Sequence, residues 1–325
     1  MANWTAYALT DSLKIKKDYE KIVDRSEAEI RGDIIYKIEN NLYYFQQTVQ
    51  GATNNIIFKL DLNTNILTRV SHDFGTNSIM YLYSDNKEYL YVAIYRNTWE
   101  LHRYKDGVGW TQLHVTDKTS ANGFKEKGII YNNAIYTFGY TNRGQPTGNT
   151  NIRKYDIDTQ QFTEMKPLPK SICRMGALLI DDKIYIVGGV NREDSVTVNS
   201  ITYNSTYVYD ITDNTITALA NMNYARYALG LCKYKNYLYA VGGRYKEGYV
   251  ETKPVIERYD INKNKWEIVE DSLFITRMHI ESSIIDIVTS DNKTFYTISS
   301  HYALYKWYVE QKIDGLENLK RFLSI

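Results

Sequence analysis

"YIVGGVNRED" (Tyr185–Asp194) and "YAVGGRYKEG" (Tyr239–Gly248) place a Gly-Gly pair behind nearly the same apolar run. The chain holds only 18 glycines in 325 residues, so the duplication asks for a reason. A phosphate-cradling loop needs GxxxxGK[ST], and neither "GGVNREDS" nor "GGRYKEGY" supplies it. No GxGxxG opens a helix either. Two pairs 54 residues apart read instead as a structural repeat. Glycine serves there because the backbone must turn sharply and pass close to a neighbour.

Working outward, a Tyr-Asp pair recurs at Tyr155-Asp156, Tyr209-Asp210 and Tyr259-Asp260, with weaker copies at Leu60-Asp61 and Tyr104-Lys105-Asp106. An apolar or aromatic residue follows the Leu or Tyr by seven positions at Leu67, Phe162, Ile216 and Trp266, and by six at Trp110. Ahead of the pairs, "GIIYNNAIYTFGY", "GALLIDDKIYIVGG" and "GLCKYKNYLYAVGG" each read as strand, tight polar turn, strand. "DIIYKIENNLYYFQQ", "YLYSDNKEYLYVAIY" and "SSIIDIVTSDNKTFYTISS" are further copies of that hairpin. Hairpin, loop, a strand through Tyr-Asp, a short turn and a last strand make one four-stranded unit.

This arrangement resembles the kelch repeat family, whose signature is Gly-Gly after the second strand, then Tyr, then Trp about six residues on. The likeness is fullest in the fourth and fifth units and degenerate in the first, second and sixth. It implies an all-β fold, a six-bladed kelch-type β-propeller over residues 31–313 with short non-repeating N- and C-terminal segments. Residues 1–30 are expected to supply a docking helix, a ring-closing strand or both, with part of 4–16 completing the last blade. Leu316, Leu319 and Leu323 predict a short C-terminal helix over 314–325.

Composition narrows the function classes. Basic and acidic residues nearly cancel at 39 against 38, which gives no basic face for a nucleic acid. No apolar run approaches a membrane-spanning length, so no membrane insertion is expected. The first residues, "MANWTAYALTDSLKIKK", lack the apolar stretch of a secretory leader, and a cytoplasmic chain at synthesis is expected. Thirty-one tyrosines with abundant Ile, Thr and Asn suit strands and their turns. That low-proline composition also suggests an AT-rich genome, such as that of a Gram-positive bacterium or its phage.

The residues point away from catalysis. The five histidines are scattered, Cys173 and Cys232 have no nucleophile context, and no GxSxG or HExxH occurs. Asp181-Asp182 sits where a hairpin turn wants Asp. No cofactor and no metal are expected. The long, polar connections between second and third strands of the third, fourth and fifth units offer Tyr140, Arg143, Arg192, Tyr203, Tyr245 and Tyr249 as binding candidates. Lys125, Arg174 and Arg226, with Arg277 in the sixth unit, stand near the start of first strands and are expected to ring the channel mouth. Such a cationic ring would grip carboxylates, and its alternative role is to hold blades together through backbone carbonyls. The expectation is a non-catalytic binding or scaffold propeller with protein partners, a receptor-binding or structural part of a phage tail or similar particle. A cell-surface glycan module and a kelch-type sialic acid mutarotase are the alternatives. The chain shows no BTB-like companion, which disfavours the ubiquitin-ligase adaptors to which kelch modules often belong.

Overall fold

The computed structural model describes residues 19–23, 35–46, 56–64, 66–72, 74, 79–96, 98–115, 124, 127–139, 150–191, 200–244, 256–269, 284–289, 294–299 and 304–308. Their strands form six four-stranded antiparallel sheets. The first strand, β1 (Tyr19–Val23), belongs to the last sheet. Blade one is β2 (Ile35–Ile38), β3 (Asn41–Gln46), β4 (Ile56–Asp61) and β5 (Leu67–Val70). Blade two is β6 (Ile79–Ser84), β7 (Leu90–Tyr95), β8 (Trp99–Lys105) and β9 (Gly109–Val115). Blade three is β10 (Lys127–Tyr131), β11 (Ala134–Phe138), β12 (Ile152–Asp156) and β13 (Gln161–Glu164). Blade four is β14 (Gly176–Ile180), β15 (Lys183–Val187), β16 (Thr206–Asp210) and β17 (Thr215–Leu219). Blade five is β18 (Gly230–Tyr234), β19 (Tyr237–Val241), β20 (Glu257–Asp260) and β21 (Lys265–Ile268). Blade six takes β22 (Ile284–Thr289), β23 (Thr294–Ser299) and β24 (Leu304–Tyr308), with β1 as its outer strand.

The ring is closed through first strands. β2 contacts β6, and the contacts continue through β10, β14, β18 and β22 back to β2. The fold is thus the all-β, six-bladed propeller that the repeat predicts. Its core lies in layers between successive blades: Tyr43, Ile57, Leu82 and Val92 pack between blades one and two, and Phe138, Ile152, Ile184 and Tyr209 between three and four.

The repeat residues have defined places. Tyr155 pairs across the ladder with Phe162, Tyr209 with Ile216, Tyr259 with Trp266, Leu60 with Leu67 and Tyr104 with Trp110. These are the partners picked out by spacing, now seen as cross-strand pairs. The Asp of each pair caps the turn that follows. Asp210 Oδ1 accepts from the N–H groups of Thr212 and Asp213 at 3.0 and 3.1 Å, and Asp260 Oδ1 accepts from Asn262 and Lys263 at 3.0 and 3.1 Å. Asp106 departs from this. It accepts from the Tyr104 hydroxyl at 3.1 Å and binds Lys59 of blade one at 2.8 Å.

A second device latches neighbouring blades. Asn264, at φ 49°, accepts the Tyr259 hydroxyl at 2.7 Å and the N–H of Ala220, from the end of blade four, at 2.8 Å. Asn214, at φ 51°, does the same with the Tyr209 hydroxyl at 2.9 Å and Lys166 N–H at 2.9 Å. Trp266 adds a third tie, donating from Nε1 to Thr206 Oγ1 of blade four at 3.0 Å.

The Gly-Gly pairs are structural. Gly188 and Gly189 have φ of 66° and 101°, and Gly189 N–H donates to the Arg226 carbonyl at 2.7 Å. A Cβ on Gly188 would stand 2.4 Å from that same carbonyl oxygen. Asp181 takes φ 57° in its hairpin turn, as Asp in a turn was expected to do.

The N-terminal region differs in detail from expectation. The strand completing blade six is β1, pairing antiparallel from Tyr19 with Trp307 to Val23 with Leu304. It lies within the segment 1–30 expected to supply a docking helix, a ring-closing strand or both, and the closing strand falls at Tyr19–Val23 rather than within 4–16. Residues 4–16 and the predicted helix over 314–325 lie outside the described residues.

Candidate functional site

In each antiparallel blade the second strand ends, and the third begins, on the side of the ring where the fourth strand ends. Around blades four and five that face can be built residue by residue. Val190, just past Gly-Gly, bridges to both Cys173 and Thr202, fixing the root of the fourth-blade loop. Asn191 closes the root: its N–H donates to the Ile201 carbonyl at 3.1 Å, and its Oδ1 accepts Ile201 N–H at 2.8 Å. Tyr203 then donates its N–H to the Gly189 carbonyl at 2.8 Å. Its ring lies 3.9 Å beneath the Lys170 ammonium, a cation–π contact, and burial pushes its phenol up.

The fifth blade repeats the root. Tyr227 and Arg244 exchange N–H···O bonds of 3.0 and 2.7 Å. Ala228 N–H donates to the Arg174 carbonyl at 2.7 Å, which joins the two roots. Lys170, Tyr203, Arg174 and Arg244 therefore lie in a strip over the seam of the two blades, while Tyr227 is buried with Cys173 and Val190. Arg244 is exposed, Lys170 and Arg174 are half-buried, and among the described residues none of these three cations has an ion-pair partner.

Of the residues singled out from sequence, Arg174, Tyr203 and Arg226 are described. Lys125, Tyr140, Arg143, Arg192, Tyr245, Tyr249 and Arg277 lie outside the described residues. Arg174 and Tyr203 are on the strip. Arg226 is not: it is 0% exposed. Its Nη2 pairs with Glu257 at 3.1 Å, and its Nη1 donates to the Gly242 carbonyl at 2.8 Å. Glu257 also accepts Asn223 N–H at 2.6 Å and Tyr224 N–H at 3.2 Å, so the pair pins the link between blades four and five. Burial lowers the guanidinium's pKa and Glu257 opposes that shift. This is the blade-holding role, not a surface grip on a ligand.

The register explains the separation. Cys173 and Tyr227 occupy equivalent bridges to the residue after Gly-Gly, so Arg174 is equivalent to Ala228, and Arg226 to the buried Ile172. Arg174 and Ala228 share an unusual backbone, φ 50° and 51°. Sequence reading put the two arginines at one point, and they are two residues out of step. Arg244, Lys170 and Glu257 were missed. Arg244 had a readable signal as the residue following Gly-Gly at a loop root.

Among the described residues, no group of His, Cys, Asp and Glu could hold a metal ion, and no helix is long and apolar enough to cross a membrane. The strip offers positive charge, the half-buried ring of Tyr203 and backbone held in place by hydrogen bonds. Those are the means of recognition by contact.

Comparison with known proteins agrees with this architecture. Residues 171–223 and 225–272, blades four and five with their connections, match the Kelch motif family. A kelch repeat and BTB domain-containing protein 2 of Ectromelia virus is 30% identical over 114 residues, 35% of this chain and 19% of that protein. A kelch repeat-containing protein of Dictyostelium discoideum is 34% identical over 109 residues, 32% of this chain and 15% of its own length. Kelch-like protein 13 of Mus musculus is 28% identical over 118 residues, 36% of this chain and 18% of that protein. The chain thus matches 15% to 19% of the length of these relatives. The class is a β-propeller, and its fourth and fifth blades match the Kelch motif.

Proposed function

We propose that this propeller is a non-catalytic binding scaffold that engages protein partners through the loop face of blades three to five, as a docking part of a larger assembly. The observation that carries the reading is the strip itself. Three cations without described ion-pair partners stand with Tyr203 over the seam, while the nearby Arg226 is buried and paired with Glu257 inside the blade. Arginine and tyrosine are the side chains on which protein interfaces most depend. Kelch propellers commonly bind protein partners, which supports the same reading.

The finer expectation, a receptor-binding or structural component of a phage tail or similar particle, rests on composition. Sedimentation of a producer lysate followed by mass spectrometry tests it: recovery in a large particle supports it, and recovery only as a free 37.9 kDa chain overturns it. A glycan array and a sugar mutarotation assay on the purified chain are the discriminating controls. Sugar binding abolished by Tyr203→Ala would move the site to the glycan reading, and turnover would overturn the non-catalytic one.

A further inference from the structure

The two ends of blade four carry opposite charge. At the loop end stand Lys170, Arg174 and, across the seam, Arg244. At the other end, the β14–β15 turn and the β16–β17 turn lie side by side: Ile211 N–H donates to the Asp182 carbonyl at 3.1 Å, and Thr212 Oγ1 lies 3.3 Å from Asp182 Oδ2. Together these turns carry Asp181, Asp182, Asp210 and Asp213, with the Lys183 ammonium between Asp182 and Asp210. Lys183 bridges Asp182 at 3.3 Å and Asp210 at 2.5 Å. Asp181 and Asp213 are exposed, and neither has an ion-pair partner among the described residues. Among the described residues, the loop end thus offers three cations, and the turn end offers four carboxylates against Lys183 and, beside Asn214, Lys166.

We propose that the loop-face strip of one copy docks on the blade-four turn pair of a second copy, head to tail. The inference rests on the reading of the strip as a protein-docking surface and names one partner for it. The chain itself supplies the complementary surface, with matching charge. Two loop ends would set like charges together, so a two-fold dimer through this face is disfavoured. A contact between unlike patches is heterologous. Since the patches lie at opposite ends of one blade, it leaves a free loop end and a free turn end on every pair and can propagate as a stack.

Sedimentation equilibrium of the full chain tests this, at about 20 mM and about 500 mM salt, conditions that span weak and strong screening. Association that rises with protein concentration is expected at low salt, weakening about tenfold or more at high salt. The variants Arg174→Glu/Arg244→Glu and Asp181→Lys/Asp213→Lys should each be monomeric. Mixed in equal amounts they should associate again, through the native pair of patches and through the charge-swapped pair. Arg174→Gln/Arg244→Gln serves where charge reversal impairs folding, checked by the melting transition. A wild-type chain that is monomeric at low salt, turn variants that associate like wild type, or a mixture that stays monomeric would each overturn the proposal. If the chain is monomeric yet binds a different protein through Arg174 and Arg244, self-docking fails while the protein-docking reading stands.

Discussion

Gln160→Asn should stabilise this protein. In blades four and five the tyrosine of the Tyr-Asp pair donates to an asparagine five residues later, at 2.9 Å for Tyr209 and 2.7 Å for Tyr259. Blade three has Tyr155 at the same place, 1% exposed, but the fifth residue is Gln160. The Gln160 side chain turns away and donates weakly to the Leu113 carbonyl at 3.5 Å, and the Tyr155 hydroxyl finds no partner among the described residues. Gln160 is also held at φ 59°, a left-handed backbone in which asparagine is favoured. Satisfying a buried hydroxyl is worth about 1 kcal/mol net, and relief of the backbone conflict adds a few tenths, for a total of about 1–1.5 kcal/mol. The assay is urea unfolding of wild type, Gln160→Asn, Tyr155→Phe and the double variant. Tyr155→Phe alone should change little, because the hydroxyl it removes makes no bond. The cycle should show a coupling of about 1 kcal/mol. A neutral or destabilising Gln160→Asn, or a gain undiminished when Tyr155→Phe is also present, would refute the hydrogen-bond argument.

Other outcomes follow from the same geometry. Arg226→Ala should cost about 3–5 kcal/mol because it leaves Glu257 buried without its countercharge, whereas Arg226→Met/Glu257→Leu should recover much of that loss; urea unfolding reads both. Gly189→Ala should cost about 2–4 kcal/mol in the same assay, since the new Cβ meets Ile172 Cγ2 at 2.4 Å and Cys173 O at 2.8 Å at φ 101°. Burial pushes the phenols of Tyr104, Tyr209 and Tyr259 up to about 12. Because the unfolded phenol ionises near pH ~10, their stabilisation is complete below that pH and is lost as the pH climbs towards about 12, which melting curves with tyrosinate absorbance will show. Deleting residues 1–23 removes β1 and should lower the melting temperature clearly, whereas deleting 1–18 keeps the strand and should cost far less.

How much was legible depended on how local each signal was. The hairpins, the Gly-Gly roots and the Tyr-Asp turns are set by neighbours within a few residues, and periodicity with turn chemistry reveals them. The asparagine latch was also within reach, since Asn214 and Asn264 stand at one spacing from Tyr209 and Tyr259, but its second bond runs to the preceding blade. The Arg226–Glu257 pair joins residues on either side of a long loop, and charge alone does not distinguish Arg226 from Arg174. Their separation depends on a two-residue offset in how each link enters its blade. No pattern in Arg226's immediate surroundings states that offset. The strip at the seam was half visible: Arg174 and Tyr203 stood out by type, whereas Arg244 matters because of the Tyr227 bridge.

The strand β1 has a consequence for how the molecule is made. It precedes, and β24 follows, every other strand of the ring, yet the two are ladder partners. Sheets one to five can assemble from neighbouring hairpins as the chain emerges, but the sixth waits for nearly the whole chain. Joining ends so far apart carries the largest loop-closure entropy in the fold and makes this pairing the slow step. Until it forms, β24 has a bare edge open to any other extended chain, so the unclosed ring is the state in which this protein is most exposed to mispairing and aggregation.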